Sequence, residues 1–139
     1  MKYAVRYFSK SGNTGKVARA IASAVGVTAV SMDAAEAEIT KETDILFLGA
    51  AVYAFGIDDV VKTFISKLDA KNVKKVAVFS TTALVKSARP HIAVLLSSKN
   101  IPLADAEFHC KGAFTVMHKG RPNAKDLEKA AAFAKELVK

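Results

Sequence analysis

Cysteine is almost missing from this chain. Among 139 residues only Cys110 is one, which excludes an intramolecular disulfide and makes a cytoplasmic setting the expectation. Long apolar runs are missing too. None approaches the roughly 20 residues of a membrane span, and Met1-Lys2 leads straight into a core-like segment rather than a cleavable leader. Acidic residues are in deficit: 13 Asp and Glu against 21 Lys and Arg leave a net charge of +8. The excess is spread thinly, with Lys71, Lys74 and Lys75 as its densest group. No aromatic residues interleave with it as they would in a groove for single-stranded nucleic acid, so no nucleic-acid partner is assigned. Solvated helix faces account for most of this charge, and the functional alternative is attraction to an acidic protein partner or an anionic substrate. Repeats, linkers and low-complexity stretches are absent. With 51% hydrophobic and 24% charged residues, the chain can fill a core, and residues 1–139 are expected to form a single domain.

The richest segment is residues 3–16, Tyr-Ala-Val-Arg-Tyr-Phe-Ser-Lys-Ser-Gly-Asn-Thr-Gly-Lys. A strand-like run ends in hydroxyl and glycine residues, and a helix-like pattern follows at once. A helix N-terminus offers outward N–H groups and a favourable dipole to an anion. Two phosphate fingerprints are nevertheless missing. The G-x-x-x-x-G-K-[ST] loop fails because Gly15-Lys16 is followed by Val17 and position 10 is Lys. The G-x-G-x-x-G pattern fails because Gly12-x-x-Gly15 lacks its first glycine. What remains is S-x-S-G-N-T. Ser9, Ser11 and Thr14 supply hydroxyls, Gly12 permits close backbone approach, and the set suits a terminal phosphate monoester without a metal. The plainer alternative is an ordinary strand-to-helix turn capped by Asn13 or Thr14.

Periodicity predicts strands at Lys2–Phe8, Val27–Met32, Ile45–Gly49, Lys75–Ser80 and Ile101–His109. Helices are expected at about Thr14–Val25, Asp58–Leu68, Ser87–Ser98 and Ala124–Lys139, with Gly26 as a C-cap and Pro90 in the first turns of the third. The acidic stretch Asp33–Asp44 is expected to be a loop with a short helical turn. Continuous apolar runs such as Ile45–Gly49 mark central strands of a parallel sheet. Strands alternating with helices predict an α/β fold, a three-layer doubly wound five-stranded parallel sheet.

The run Ser9, Ser11, Gly12, Asn13 and Thr14 resembles the phosphate loop of the flavodoxin family, whose pattern after its first strand is close to [ST]-x-[ST]-G-N-T. The resemblance implies strand order 2-1-3-4-5, with ligand bound beyond the carboxyl ends of the strands at the switch point beside strand one. It implies FMN as cofactor, its phosphate held by Ser9, Lys10, Ser11, Gly12, Asn13 and Thr14. The loop after strand three, Ala50–Ile57, resembles the family's ring-binding segment. It makes Ala51, Val52, Tyr53, Ala54, Phe55 and Gly56 candidate ring contacts, with Tyr53 the stacking plane, Phe55 its reserve and Gly56 the source of a backbone group near flavin N5. The loop after strand four contributes Ser80, Thr81 and Thr82, the threonines toward the pyrimidine edge. That loop departs from the family: Thr81–Lys86 has neither aromatic nor glycine, which implies an open ring face. No insertion interrupts the last strand, so the chain resembles the short-chain group.

The resemblance implies an electron carrier working between redox protein partners, which the positive charge suggests are acidic. Two other functions stay open: an FMN-dependent oxidoreductase acting on a quinone or porphyrin-like substrate, and a module that keeps the fold without flavin. Neither a catalytic residue nor a metal is assigned. His91 and His118 lack ligand spacing with Cys110. Cys110 and His109, as neighbours on a strand, point to opposite faces, so a buried structural cysteine is expected. Arg89, Lys119 and Arg121 are expected to be solvated surface cations, with contact to an anionic partner as the alternative.

Overall fold

The computed structural model describes residues 1–52, 56–82, 87–111 and 120–139. In chain order its elements are β1 (Tyr3–Phe8), α1 (Asn13–Val25), β2 (Ala29–Ser31), a 3-10 turn at Ala35–Ala37, β3 (Ile45–Val52), α2 (Asp59–Ser66), β4 (Val76–Thr82), α3 (Arg89–Leu96), β5 (Phe108–Lys111) and α4 (Ala124–Leu137). The strands form one sheet in the order β2-β1-β3-β4-β5, and every pairing is parallel. This is the doubly wound order expected above.

Side chains alternate across a strand with period two, and that alternation builds the layers. On one face Leu46, Leu48 and Ala50 of β3 join Val76 and Val78 of β4, and pack against Val61, Phe64 and Ile65 of α2 and Ile92 and Leu96 of α3. On the other face Ile45 and Phe47 join Ala77 and Phe79, and pack against Val17, Ala18 and Ile21 of α1 and Ala130 and Ala134 of α4. Phe47, Phe79, Ile21, Leu46 and Leu48 are wholly buried, each side chain contributing about 1.5–3 kcal/mol of transfer free energy. Phe133 of α4 meets Phe47 edge-on, with ring centroids 6.3 Å apart. The Phe79 ring has room only because its β3 partner is Gly49. A Cβ there would lie 2.1 Å from the ring.

Capping fixes the helix ends. Gly26 closes α1 in the left-handed conformation (φ 78°), and its N–H donates to Ala22 O. Asp58 caps α2 by accepting from Val60 N at 2.9 Å. Asn123 and Asp126 form a reciprocal capping box on α4.

Several element boundaries differ from expectation for identifiable reasons. The second strand begins at Ala29 because Val27 N is spent on Ala22 O in the cap of α1. β3 and β4 run on to Val52 and Thr82, so Ala51, Val52, Thr81 and Thr82 are strand residues rather than loop residues. The run expected as one strand over Ile101–His109 is split. Leu103 makes only an isolated bridge to Val76, and pairing resumes with Phe108 opposite Phe79. Ala104 N still donates to Val76 O, and Asp105 to Glu107 form an excursion from the sheet edge.

Candidate functional site

The segment after β1 does not form an ordinary capped turn. The N-cap of α1 is Gly12, at φ 85° and without a side-chain cap, rather than Asn13 or Thr14. Those two open the helix instead, and both are buried. A positive φ of this size strains any residue with a Cβ, which explains the glycine. A Cβ on Gly12 would meet nothing within 4 Å, so the space above the loop is open. Gly12 N donates to Ser9 Oγ at 3.1 Å. Asn13 N donates to Ser11 Oγ at 3.4 Å, and the two serine oxygens are 3.4 Å apart. Lys16 N makes the first intrahelical bond, to Gly12 O at 3.2 Å. The amides before it belong to the first turn, where no intrahelical acceptor exists. Two serine hydroxyls thus gather beside the open space over Gly12 at the positive end of α1, where Gly12 N and Asn13 N donate to the serine oxygens, and hydroxyls and helix-terminal amides are the donor types that fit a phosphate.

Lys10 and Thr14 connect this loop to its surroundings. Lys10 Nζ lies 3.4 Å from Asp58 Oδ2, with its side chain 71% exposed and that of Asp58 15% exposed. Asp58 therefore both caps α2 and tethers the lysine across the mouth of the site. Thr14 Oγ1 and Thr81 Oγ1 are 2.7 Å apart and both buried. Thr81 shares the strand face of Ala77 and Phe79, which is the α1 side. It reaches the phosphate loop from beneath instead of presenting its hydroxyl at the strand end. Ser80, one residue earlier, points to the α3 side, where its Oγ accepts from Ala88 N at 3.2 Å.

The carboxyl ends of β1, β3 and β4 bring most of the expected site residues to one edge of the sheet. Phe8 pairs with Ala50, Ala51 with Thr81 and Val52 with Thr82, so residues 9–14, 51–52 and 80–82 are neighbours. Gly56 stands at φ 105°, and a Cβ there would be 3.5 Å from the exposed His91 ring. That φ is one that favours glycine. Tyr53, Ala54 and Phe55 lie outside the described residues, as do 83–86 and Lys119. Asp58, His91 and the Thr14–Thr81 pair were not anticipated. Only the last left a signal: counting by twos from Phe79 puts Thr81 on the α1 face.

Remaining candidates resolve plainly. Cys110 is buried, and burial raises its thiol pKa to about 11. His109 beside it is exposed, so the two diverge as expected and form no nucleophile pair. Arg89 and Arg121 are not simply solvated. Arg89 is half-buried and donates from Nη2 to Ala104 O at 3.1 Å. Arg121 grips Asp126 through Nε at 2.5 Å and Nη2 at 2.8 Å. Among the described residues no helix is long and apolar enough to cross a membrane.

Comparison with known proteins adds the family. The flavodoxin domain matches residues 4–119 of this chain. An uncharacterized protein of Methanocaldococcus jannaschii is 28% identical over 138 residues, covering 91% of each chain. Among solved structures, a flavodoxin from the domain Archaea superposes with a TM-score of 0.80 at 23% identity, covering 99% of this chain and 96% of that one. Oxidised Flavodoxin 2 from Bacillus cereus gives 0.74 at 20% identity, covering 99% and 98%. At these identities the structural matches establish a shared fold.

Proposed function

The chain belongs to the flavodoxin family, and from that premise we propose that it binds FMN at the carboxyl edge of its sheet and carries electrons between redox proteins. The observation that supports this best is the opening of α1. Gly12 caps the helix in the left-handed conformation with open space above it, while Ser9 and Ser11 bring their hydroxyls to the same spot. In this proposal residues 9–14 hold the phosphate, and no metal is needed to neutralise it.

FMN when bound would supply the redox chemistry, and the protein supplies binding, orientation and electrostatics. Ser9, Ser11 and the first-turn amides fix the phosphate. Ala51, Val52 and Gly56 bring backbone groups to the ring side, with Tyr53 the proposed stacking plane. Asp58 holds the Lys10 side chain at the rim, so the side-chain donors closest to the phosphate are the serine hydroxyls. The net charge of +8 favours acidic redox partners through long-range attraction that salt screens.

The test is a titration of the purified protein with FMN, followed by flavin fluorescence and visible absorbance. The proposal expects saturable quenching and a spectral shift at one FMN per chain, with riboflavin binding far more weakly. No change on adding FMN would refute it. If FMN binds, two-electron turnover of a free quinone without a protein partner would favour an oxidoreductase over a carrier.

A further inference from the structure

The Lys10–Asp58 ion pair stands at the mouth of the site, and its two charges bear on any anion held there. Lys10 sits between Ser9 and Ser11, whose hydroxyl oxygens lie beside the open space over Gly12. By chain geometry its ammonium is on the order of 10 Å from an anion seated in that space. The Nζ is 3.4 Å from Asp58 Oδ2, which puts a carboxylate at a similar distance, so the two fields largely cancel. Left unpaired, one charge at that range acting on a dianion would change its affinity about fourfold in dilute buffer. Salt would screen that effect, since the Debye length is about 10 Å at 0.1 M. Asp58 is the fixed member of the pair. Its Oδ1 accepts from Val60 N at 2.9 Å to cap α2, and its side chain is 15% exposed against 71% for Lys10. The carboxylate therefore decides where the ammonium rests.

We propose that Asp58 is a specificity-determining residue for the anion: by pairing with Lys10 it cancels the one cationic side chain of residues 9–14. This rests on the phosphate-cradle proposal above. It makes the capping residue of α2 a control on how strongly the loop prefers phosphate-bearing FMN to uncharged riboflavin. The net charge of +8 attracts every anion from a distance, and the pair removes the local contribution. A direct Lys10–phosphate contact is a different arrangement, because a change at position 58 could not repair its loss.

The test compares wild type, Asp58→Asn, Lys10→Met and the double variant. Asparagine caps a helix as well as aspartate does, and methionine keeps most of the aliphatic stem. Inorganic phosphate is titrated while the amides of residues 9–14 are followed, and FMN and riboflavin are titrated by flavin fluorescence. Asp58→Asn is expected to tighten phosphate and FMN about fourfold at about 20 mM salt, and the gain should fade by about 0.5 M. Lys10→Met is expected to weaken both ligands about fourfold, and the double variant should return to within about twofold of wild type. Riboflavin should change less than about twofold throughout, because it carries no charge for the pair to act on. An Asp58→Asn protein that binds phosphate no more tightly than wild type, or a double variant as weak as Lys10→Met, would overturn the proposal. If Asp58→Asn does not fold, Lys10→Met decides: unchanged phosphate affinity, or weakening that persists at about 0.5 M salt, would overturn it. Wild-type protein that takes phosphate at residues 9–14 but not FMN refutes the cofactor proposal alone, and protein that takes neither refutes both.

Discussion

Gly49→Ala offers a sharp test of how the sheet is packed. The added Cβ would fall 2.1, 2.2 and 2.7 Å from three atoms of the Phe79 ring, well inside any tolerable carbon–carbon separation. The ring cannot retreat into space, because Phe79 is wholly buried and so is Phe47 on the same face. Overpacking a dense core costs about 1–3 kcal/mol, and backbone-anchored overlap with an enclosed ring belongs at the upper end, about 3 kcal/mol. For a chain of this length each kcal/mol moves the midpoint by roughly 3 °C, so Tm should fall by about 9 °C. The assay is thermal and urea unfolding of wild type, Gly49→Ala, Phe79→Leu and the double variant. Shrinking the ring should relieve the clash, leaving the double variant at least about 1 kcal/mol more stable than the two losses summed. A Gly49→Ala protein within about 0.5 kcal/mol of wild type would refute the argument that this glycine exists to seat Phe79.

Two further outcomes follow from titrating groups. Burial raises the Cys110 thiol from 9.0 to about 11, so at pH 8 iodoacetamide should modify it about a hundredfold more slowly in folded than in urea-unfolded protein; equal rates would contradict its burial. The same shift makes the folded state lose stability as pH rises from about 9 to about 11, because the unfolded thiol ionises first. Hydrogen bonds from Arg121 hold the Asp126 carboxyl below its ordinary 3.8, so that contribution is fully present above pH 4 and lost as pH falls through the folded value. Asp126→Asn should therefore cost about 1.5–3 kcal/mol near neutrality, with its unfolding curve converging on wild type below about pH 4. A constant gap down to pH 2 would contradict this.

The layer architecture was legible because apolar run length and helix periodicity report burial directly. Ile45–Gly49 has the continuous apolar run of a central strand, and Gly26 and Asp58 marked helix ends by their own chemistry. The loop proposed to hold a phosphate carried a signal because such a site would require specific residue types in consecutive positions. Strand ends were less legible. Thr81 and Thr82 look like turn residues by composition, yet they continue β4, where the Thr81 hydroxyl finds its place against Thr14. The excursion at Asp105–Glu107 was invisible because Leu103 and Ala104 still reach Val76 and pairing resumes at Phe108, so the apolar pattern on either side reads as one strand. A long-range partnership such as Lys10 with Asp58 depends on which loops meet in space. Local pattern does not encode that.

The central claim is that the carboxyl edge of the sheet, opened by the Gly12 cap, is where FMN is held. The most direct measurement is an amide ¹H–¹⁵N spectrum of the labelled protein titrated with FMN. The account predicts the largest shifts at residues 9–15, with a second group at 51–52, 56 and 80–82. The opposite edge holds a competing cleft of about 570 Å³ lined by Lys2, Tyr3, Arg6 and Thr43, and its amides should stay still. Shifts concentrated in that cleft, or none at residues 9–15 when FMN is saturating, would contradict the account.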